Sequence, residues 1–172
     1  MLIDSFNQTI DRWIAALDGY SFTQLCAKPS AQGWSVGQLY IHLVQDTTFY
    51  LEQLRESLAS DCHTQQSASD QALVMLRNNA FPDIIIEGHP DNALIPQPES
   101  KDELLRGLEH VKREANDLAQ GMAQGTVCGK SLHPGFQYLN ANEWLQLAEM
   151  HLRHHFRQKE RLDQFLKSDQ VL

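Results

Sequence analysis

Three of the eight histidines fall within the run HLRHH, residues 151–155, and their spacing decides which of them can act together. At about 100° per residue on a helix, Trp144 and Leu162 share one direction, with Ala148 and Leu166 about 40° from it, which marks a core-facing side. His151 and His155 straddle that direction, about 20° to either side, whereas His154 points roughly 80° away. A lone inward histidine is ordinarily a hydrogen-bonded core residue. Two of them one turn apart on a buried stripe would each need a partner once desolvated. One cation shared by both rings answers that need, and zinc sites use this spacing when a helix supplies two ligands.

A third ligand must come from another helix. His42 is the candidate, with Asp46 one turn later. His42 lies roughly 120° from the centre of its own helix's apolar stripe, so it faces the core only if that helix touches two neighbours. Three neutral imidazoles leave coordination positions open, the arrangement of a catalytic centre rather than a closed structural one. A water or thiol beside such a cation loses its proton near neutral pH. Asp46, on the His42 side of its helix, is the candidate catalytic group, as a base or as an acceptor for a ligand's second nitrogen. The plain alternative for it is a solvated helix acid.

Other readings of the histidines fail on their neighbours. A zincin needs HExxH, and Leu152 stands where the glutamate would be. The box HxxHH also occurs in membrane di-iron desaturases, which need several such boxes and membrane helices. A soluble di-iron bundle would need paired Glu-x-x-His motifs. His133-Pro134 could bring a further imidazole to the mouth of the site, although a proline-stabilised turn is the simpler reading. Arg153, Arg157, Lys159 and Arg161 could attract an anion, but mostly they fall on an outward face and suit the C-terminal half of a helix. Trp34 and Trp144 read as packing anchors beside helix starts. Cys26, Cys62 and Cys128, widely spaced and odd in number, read as small buried free thiols of a reducing cytoplasm.

The elements that must position these groups are helices. Apolar residues at Ile3, Phe6, Ile10, Trp13, Ile14 and Leu17 recur at steps of three and four, and Gly19 ends the run. Ser21 starts a short turn through Leu25. Ser35 caps a second long helix whose stripe runs Val36, Leu39, Tyr40, Leu43, Thr47, Tyr50, Leu54 and Leu58. The polar run 60–69 breaks it, and 70–79 reads as a short extra helix. Between Phe81 and Glu99 lie four of the six prolines and the β-prone Ile84, Ile85 and Ile86, predicting a long, partly extended crossover that straps the bundle. Ser100 with Glu103 opens a third long helix to about Gln124, followed by a loop from Gly125 and Gly129. Asn140 with Glu143 opens a fourth, to about Lys167. Four long helices with one long crossover predict an all-α four-helix bundle over a single 1–172 domain.

The formal net charge of -8 would repel phosphate, which argues against nucleic acid as a partner. No stretch approaches the roughly 18 apolar residues of a membrane span, and the N-terminus lacks the apolar core of a secretory signal. A cytoplasmic protein acting on a small-molecule substrate is expected, with homodimer formation left open.

Trp34-Ser35-Val36-Gly37-Gln38-Leu39-Tyr40-Ile41-His42-Leu43 resembles the second-helix signature of the DinB/YfiT-like superfamily, in which a tryptophan and a capping serine precede the first metal histidine. His133-Pro134-Gly135-Phe136, then Leu139, Trp144, His151, His154-His155 and Arg157-Gln158, resemble its final helix, closest to a DinB-like branch of unassigned function. The resemblance implies a bundle holding one divalent metal, zinc or nickel, on His42, His151 and His155. His154 matches a residue common in that branch but not a ligand position. The implied activity is thiol S-transfer using a low-molecular-weight thiol. Metal-dependent hydrolysis at the same centre is the alternative, and a non-catalytic metal-binding or stress-linked role is the third.

Overall fold

Helix starts in this chain are written in side chains that can accept a backbone N–H. Ser35 Oγ accepts from Gln38 N, and Gln38 Oε1 accepts in return from Ser35 N. Asn140 and Glu143 exchange the same pair of bonds, as do Ser21 and Gln24. Each reciprocal pair satisfies two donors that the first turn of a helix leaves open. At Ser100 only half of this box forms. Its Oγ caps Glu103 N, while the Glu103 carboxylate turns to Glu99 N.

The computed structural model describes residues 1–82, 94–125 and 129–168. In chain order the elements are α1 (Leu2–Asp18), α2 (Phe22–Cys26), α3 (Val36–Ala59), α4 (Asp70–Asn78), α5 (Lys101–Gln124), β1 (Lys130–His133), β2 (Gln137–Asn140), α6 (Ala141–His154) and α7 (Phe156–Ser168). Helix α3 packs between α5 and α6, and α1 touches the same two helices from the opposite side. The long helices therefore form a four-helix bundle with α1 and α3 on one diagonal. Phe6, Ile10, Trp13 and Leu17 from α1 meet Leu39, Leu43, Leu51 and Leu54 from α3 and Trp144, Leu145 and Ala148 from α6 in one core. Because α3 has two long neighbours, it buries Gln38, Ile41 and His42 as well as its predicted stripe from Val36 to Leu54. That second buried side is the condition His42 needed. No described helix is long and apolar enough to cross a membrane.

The end of the crossover straps the start of α3. Gln38 Nε2 donates to the Ile95 carbonyl at 2.6 Å, and Ser35 Oγ donates to Gln97 Oε1 at 2.8 Å. Pro98 lies so close to Gly37 that a β-carbon there would sit 2.6 Å from Pro98 Cγ, so the contact requires glycine. The extended reading of Ile84–Ile86 and the reading of Cys128 fall outside the described residues.

Three expectations are corrected. The loop after α5 contains an antiparallel hairpin, β1 with β2, in which Ser131 pairs with Leu139 and His133 with Gln137. A hairpin this short has too little alternation to separate it from a loop in sequence. The predicted fourth helix is two helices, broken at His155. The Leu152 carbonyl accepts the Trp13 indole N–H at 3.0 Å, and Phe156 stacks on the Trp13 ring. A side-chain donor that takes a helix carbonyl in this way interrupts the i→i−4 ladder there. Cys62, finally, is exposed rather than buried.

Candidate metal centre

The one-turn spacing of His151 and His155 and the two-sided burial of α3 bring three rings to one point. His42 Nε2 lies 3.1 Å from His155 Nε2, and His155 Nε2 lies 3.0 Å from His151 Nε2. His42 and His151 are buried and His155 half-buried. A tetrahedral ion with metal–nitrogen distances of 2.0–2.1 Å separates its ligand nitrogens by roughly 3.3 Å. The donor set therefore fits one small divalent ion with little movement.

Burial keeps these rings neutral, the form in which imidazole ligates. It pushes His42 down to about 4. His155 falls to about 3, by burial first and by the neighbouring His42 second. His151 is held well below the usual histidine value, by burial and then by the surrounding imidazoles.

Asp46 borders the same point. Its Oδ2 lies 3.4 Å from His151 Nε2 and its Oδ1 lies 3.5 Å from His42 Nδ1. With the rings neutral these are polar contacts rather than ion pairs. Burial raises the Asp46 carboxyl to about 6, opposed by the neighbouring Tyr50. Tyr50 is itself buried, and burial together with Asp46 raises its phenol well above the usual range. It stays a donor. His42, Asp46 and Tyr50 stand at successive turns of α3, so one face of that helix presents a ring, a carboxylate and a phenol in order.

An aromatic wall surrounds the cluster. The half-buried Trp34 ring lies 5.0 Å from that of His42, so this tryptophan borders the site as well as the helix start. The fully buried Trp144 is the packing anchor that the sequence predicted. Phe81 lies 5.2 Å from His154 and 6.3 Å from His151, centre to centre. His154 is next to His155 but outside the three-nitrogen group, as its helical direction predicted.

His133 forms the turn that the sequence predicted. Its Nδ1 accepts the N–H groups of Gly135 and Phe136 at 3.0 and 3.1 Å, which fastens the hairpin turn. Its ring lies between those of Phe136 and Tyr50, and burial lowers its pKa to about 4. Two backbone donors at Nδ1 leave the proton of this neutral ring on Nε2. Arg153, by contrast, serves the scaffold. It pairs with buried Glu149 at 2.8 Å and donates to the Asn79 carbonyl, tying α6 to the end of α4.

Sequence reasoning missed three contributors. In sequence Tyr50 belongs to the apolar stripe of its helix, and its i+4 spacing from Asp46 is the available signal. Gln158 stands out in sequence only as part of the family resemblance. The Trp13 donor, far away in the chain, left no local signal.

A four-helix bundle presenting three converging imidazoles and a carboxylate from α3 and the α6–α7 junction defines the class: a helical scaffold with a candidate metal centre. Residues 5–158 match the family model of the DinB superfamily, and the chain belongs to that superfamily. No curated protein matches it. Among solved structures it is similar to YfiT from Bacillus subtilis, at 15% identity and a TM-score of 0.63, covering 96% of this chain and 86% of that one. YfiT is described as a probable metal-dependent hydrolase with an unusual four-helix bundle topology.

Proposed function

We propose that the protein is a metal-dependent enzyme that activates a small protic nucleophile, with His42, His151 and His155 as the ligands. The observation that carries this reading is the convergence of one ring nitrogen each from buried His42, buried His151 and half-buried His155 within 4.8 Å of one another. Zinc or nickel suits an imidazole donor set. Bound there, the cation would supply Lewis acidity that eases deprotonation of a water or a thiol.

The chain's own groups then have separate tasks. Asp46, within 3.5 Å of two of the rings, receives the nucleophile's proton. Tyr50, one turn further along α3, is placed to steady the Asp46 carboxylate. Trp34 and Phe81 limit access of bulk water and offer flat apolar surface to a substrate.

The finer reading is S-transfer, in which a low-molecular-weight thiol attacks an electrophilic substrate. Its support is the resemblance of the α3 and α6 motifs. Hydrolysis is the second reading, favoured by the description of YfiT. Elemental analysis of untagged protein should find about one divalent metal per chain, and His151→Ala and His155→Ala should lose it. Equal metal in all three samples would refute the centre. Metal-dependent conjugation of monochlorobimane with glutathione, bacillithiol or mycothiol would support transfer. Metal-dependent turnover of activated esters without any thiol response would replace it with hydrolysis.

A further inference from the structure

The His155 ring is held at both of its nitrogens. Nε2 faces the other two imidazoles, while Nδ1 lies 2.9 Å from Gln158 Oε1, one turn further on in α7. A carboxamide oxygen only accepts, so the proton of the neutral ring belongs on Nδ1. Nε2 is then left with its lone pair directed into the cluster. The two other rings lack this arrangement. His42 Nδ1 and His151 Nδ1 are buried without a hydrogen-bond partner, and the Asp46 oxygen near His42 Nδ1 is 3.5 Å away.

We infer that Gln158 is the positioning residue of the metal centre, selecting the His155 tautomer that can ligate, and that it does so as a neutral acceptor. The inference rests on the metal reading above. Its basis is that a ligating histidine is oriented by whatever accepts its second N–H, and that such partners commonly change metal affinity 10- to 100-fold. The chemical type of the partner matters too. A carboxylate at this position would make His155 a stronger donor, tightening the hold on the cation and reducing its electrophilicity. A carboxamide fixes the ring without that extra donation. Gln158 also lies beyond the helix break, so its bond ties His155 to α7.

Two measurements on the full chain test this. Nitrogen-15 NMR of histidine-labelled, metal-free protein at pH 7.5, with His155→Ala for assignment, reports the tautomer directly. Competition with a chromophoric chelator gives the affinity for zinc and for nickel. Wild type should show the Nδ1–H form at His155. Gln158→Leu should lose that preference and bind metal 10- to 100-fold more weakly, with an unchanged circular dichroism spectrum. Gln158→Glu should restore affinity to at least the wild-type level, which a purely structural role would not require. Affinity of Gln158→Leu within twofold of wild type, or an unchanged tautomer, would overturn the inference. Failure of wild type itself to bind metal would overturn both it and the reading on which it rests.

Discussion

At the scale of single residues, the centre divides into groups that would hold a cation and groups that would move a proton. Asp46 belongs to the second kind, and positioned general bases contribute roughly 10²–10⁴-fold to rate. Asp46→Asn should therefore lower turnover by that order while leaving about one metal per chain, measured by assay and elemental analysis on one sample. If the metal leaves as well, Asp46 is a ligand and the division is wrong. His154→Ala should keep its metal, because that ring lies outside the three-nitrogen group. Losing it as completely as His155→Ala does would shift the ligand register by one residue. The pairing of His151 with His155 was legible because helix periodicity fixes relative directions along one element, whereas His42 lies off its own helix's apolar stripe and entered through the resemblance. Tyr50 and Gln158 were less legible, because their roles depend on which side chain they meet, and a stripe of apolar residues absorbs a tyrosine without comment.

At the scale of elements, the break at His155 is the feature that periodicity could not supply. Nothing within Ala141–Ser168 interrupts the helical pattern, and the interruption comes from Trp13 on α1, 139 residues away in the chain. Trp13→Phe keeps an aromatic ring against Phe156 but removes the donor to the Leu152 carbonyl. A buried acceptor left without its donor costs about 1–3 kcal/mol. Urea unfolding should show a loss of that size, and weaker metal binding should accompany it as α6 and α7 realign. Unchanged affinity would mean that the kink does not set the position of His155. The strap over α3 is a second element-level test. Ser35→Ala removes a cap worth about 1 kcal/mol, and it also removes the bond to Gln97. Its cost should exceed that of Ser21→Ala, whose cap stands at an exposed turn. Helix positions were otherwise legible because the caps are local. The hairpin was not, since its pairing with Ala68 and its contact with α3 are distant in sequence.

At the scale of the whole molecule, the buried imidazoles make stability depend on pH in a definite direction. His42 and His133 titrate at about 4 and His155 at about 3 in the folded chain, with His151 also well below its ordinary value. In the unfolded chain each titrates near 6.5. As pH falls below that value, the unfolded state takes up protons first, so the metal-free fold loses stability through the window from about 6.5 to 3. Asp46 acts in the opposite sense. Raised to about 6 when folded, it stabilises the fold as pH falls from about 6 towards 4. Four imidazoles against one carboxyl give a net loss, so the urea midpoint of metal-free protein should be lower at pH 5 than at pH 7.5. A higher midpoint at pH 5 would mean that the rings are solvated. Saturating metal should raise both midpoints, since a ligand that binds only the folded state shifts the equilibrium by mass action.

The meeting of His42 with His155 joins positions 113 residues apart. Considered as chain topology, a cation shared by these two rings is a removable cross-link around most of the molecule. A covalent link around a loop of about 100 residues disfavours the denatured ensemble by about 4.7 kcal/mol in the loop-entropy model. A coordinate link that must break before the unfolding transition state is reached would act on the lifetime of the fold and not only on its equilibrium. Unfolding in urea should then accelerate when a chelator is added, whereas a chelator added to His155→Ala should change nothing. An equal unfolding rate in the presence and absence of metal would show that the ring is already closed in the transition state for folding.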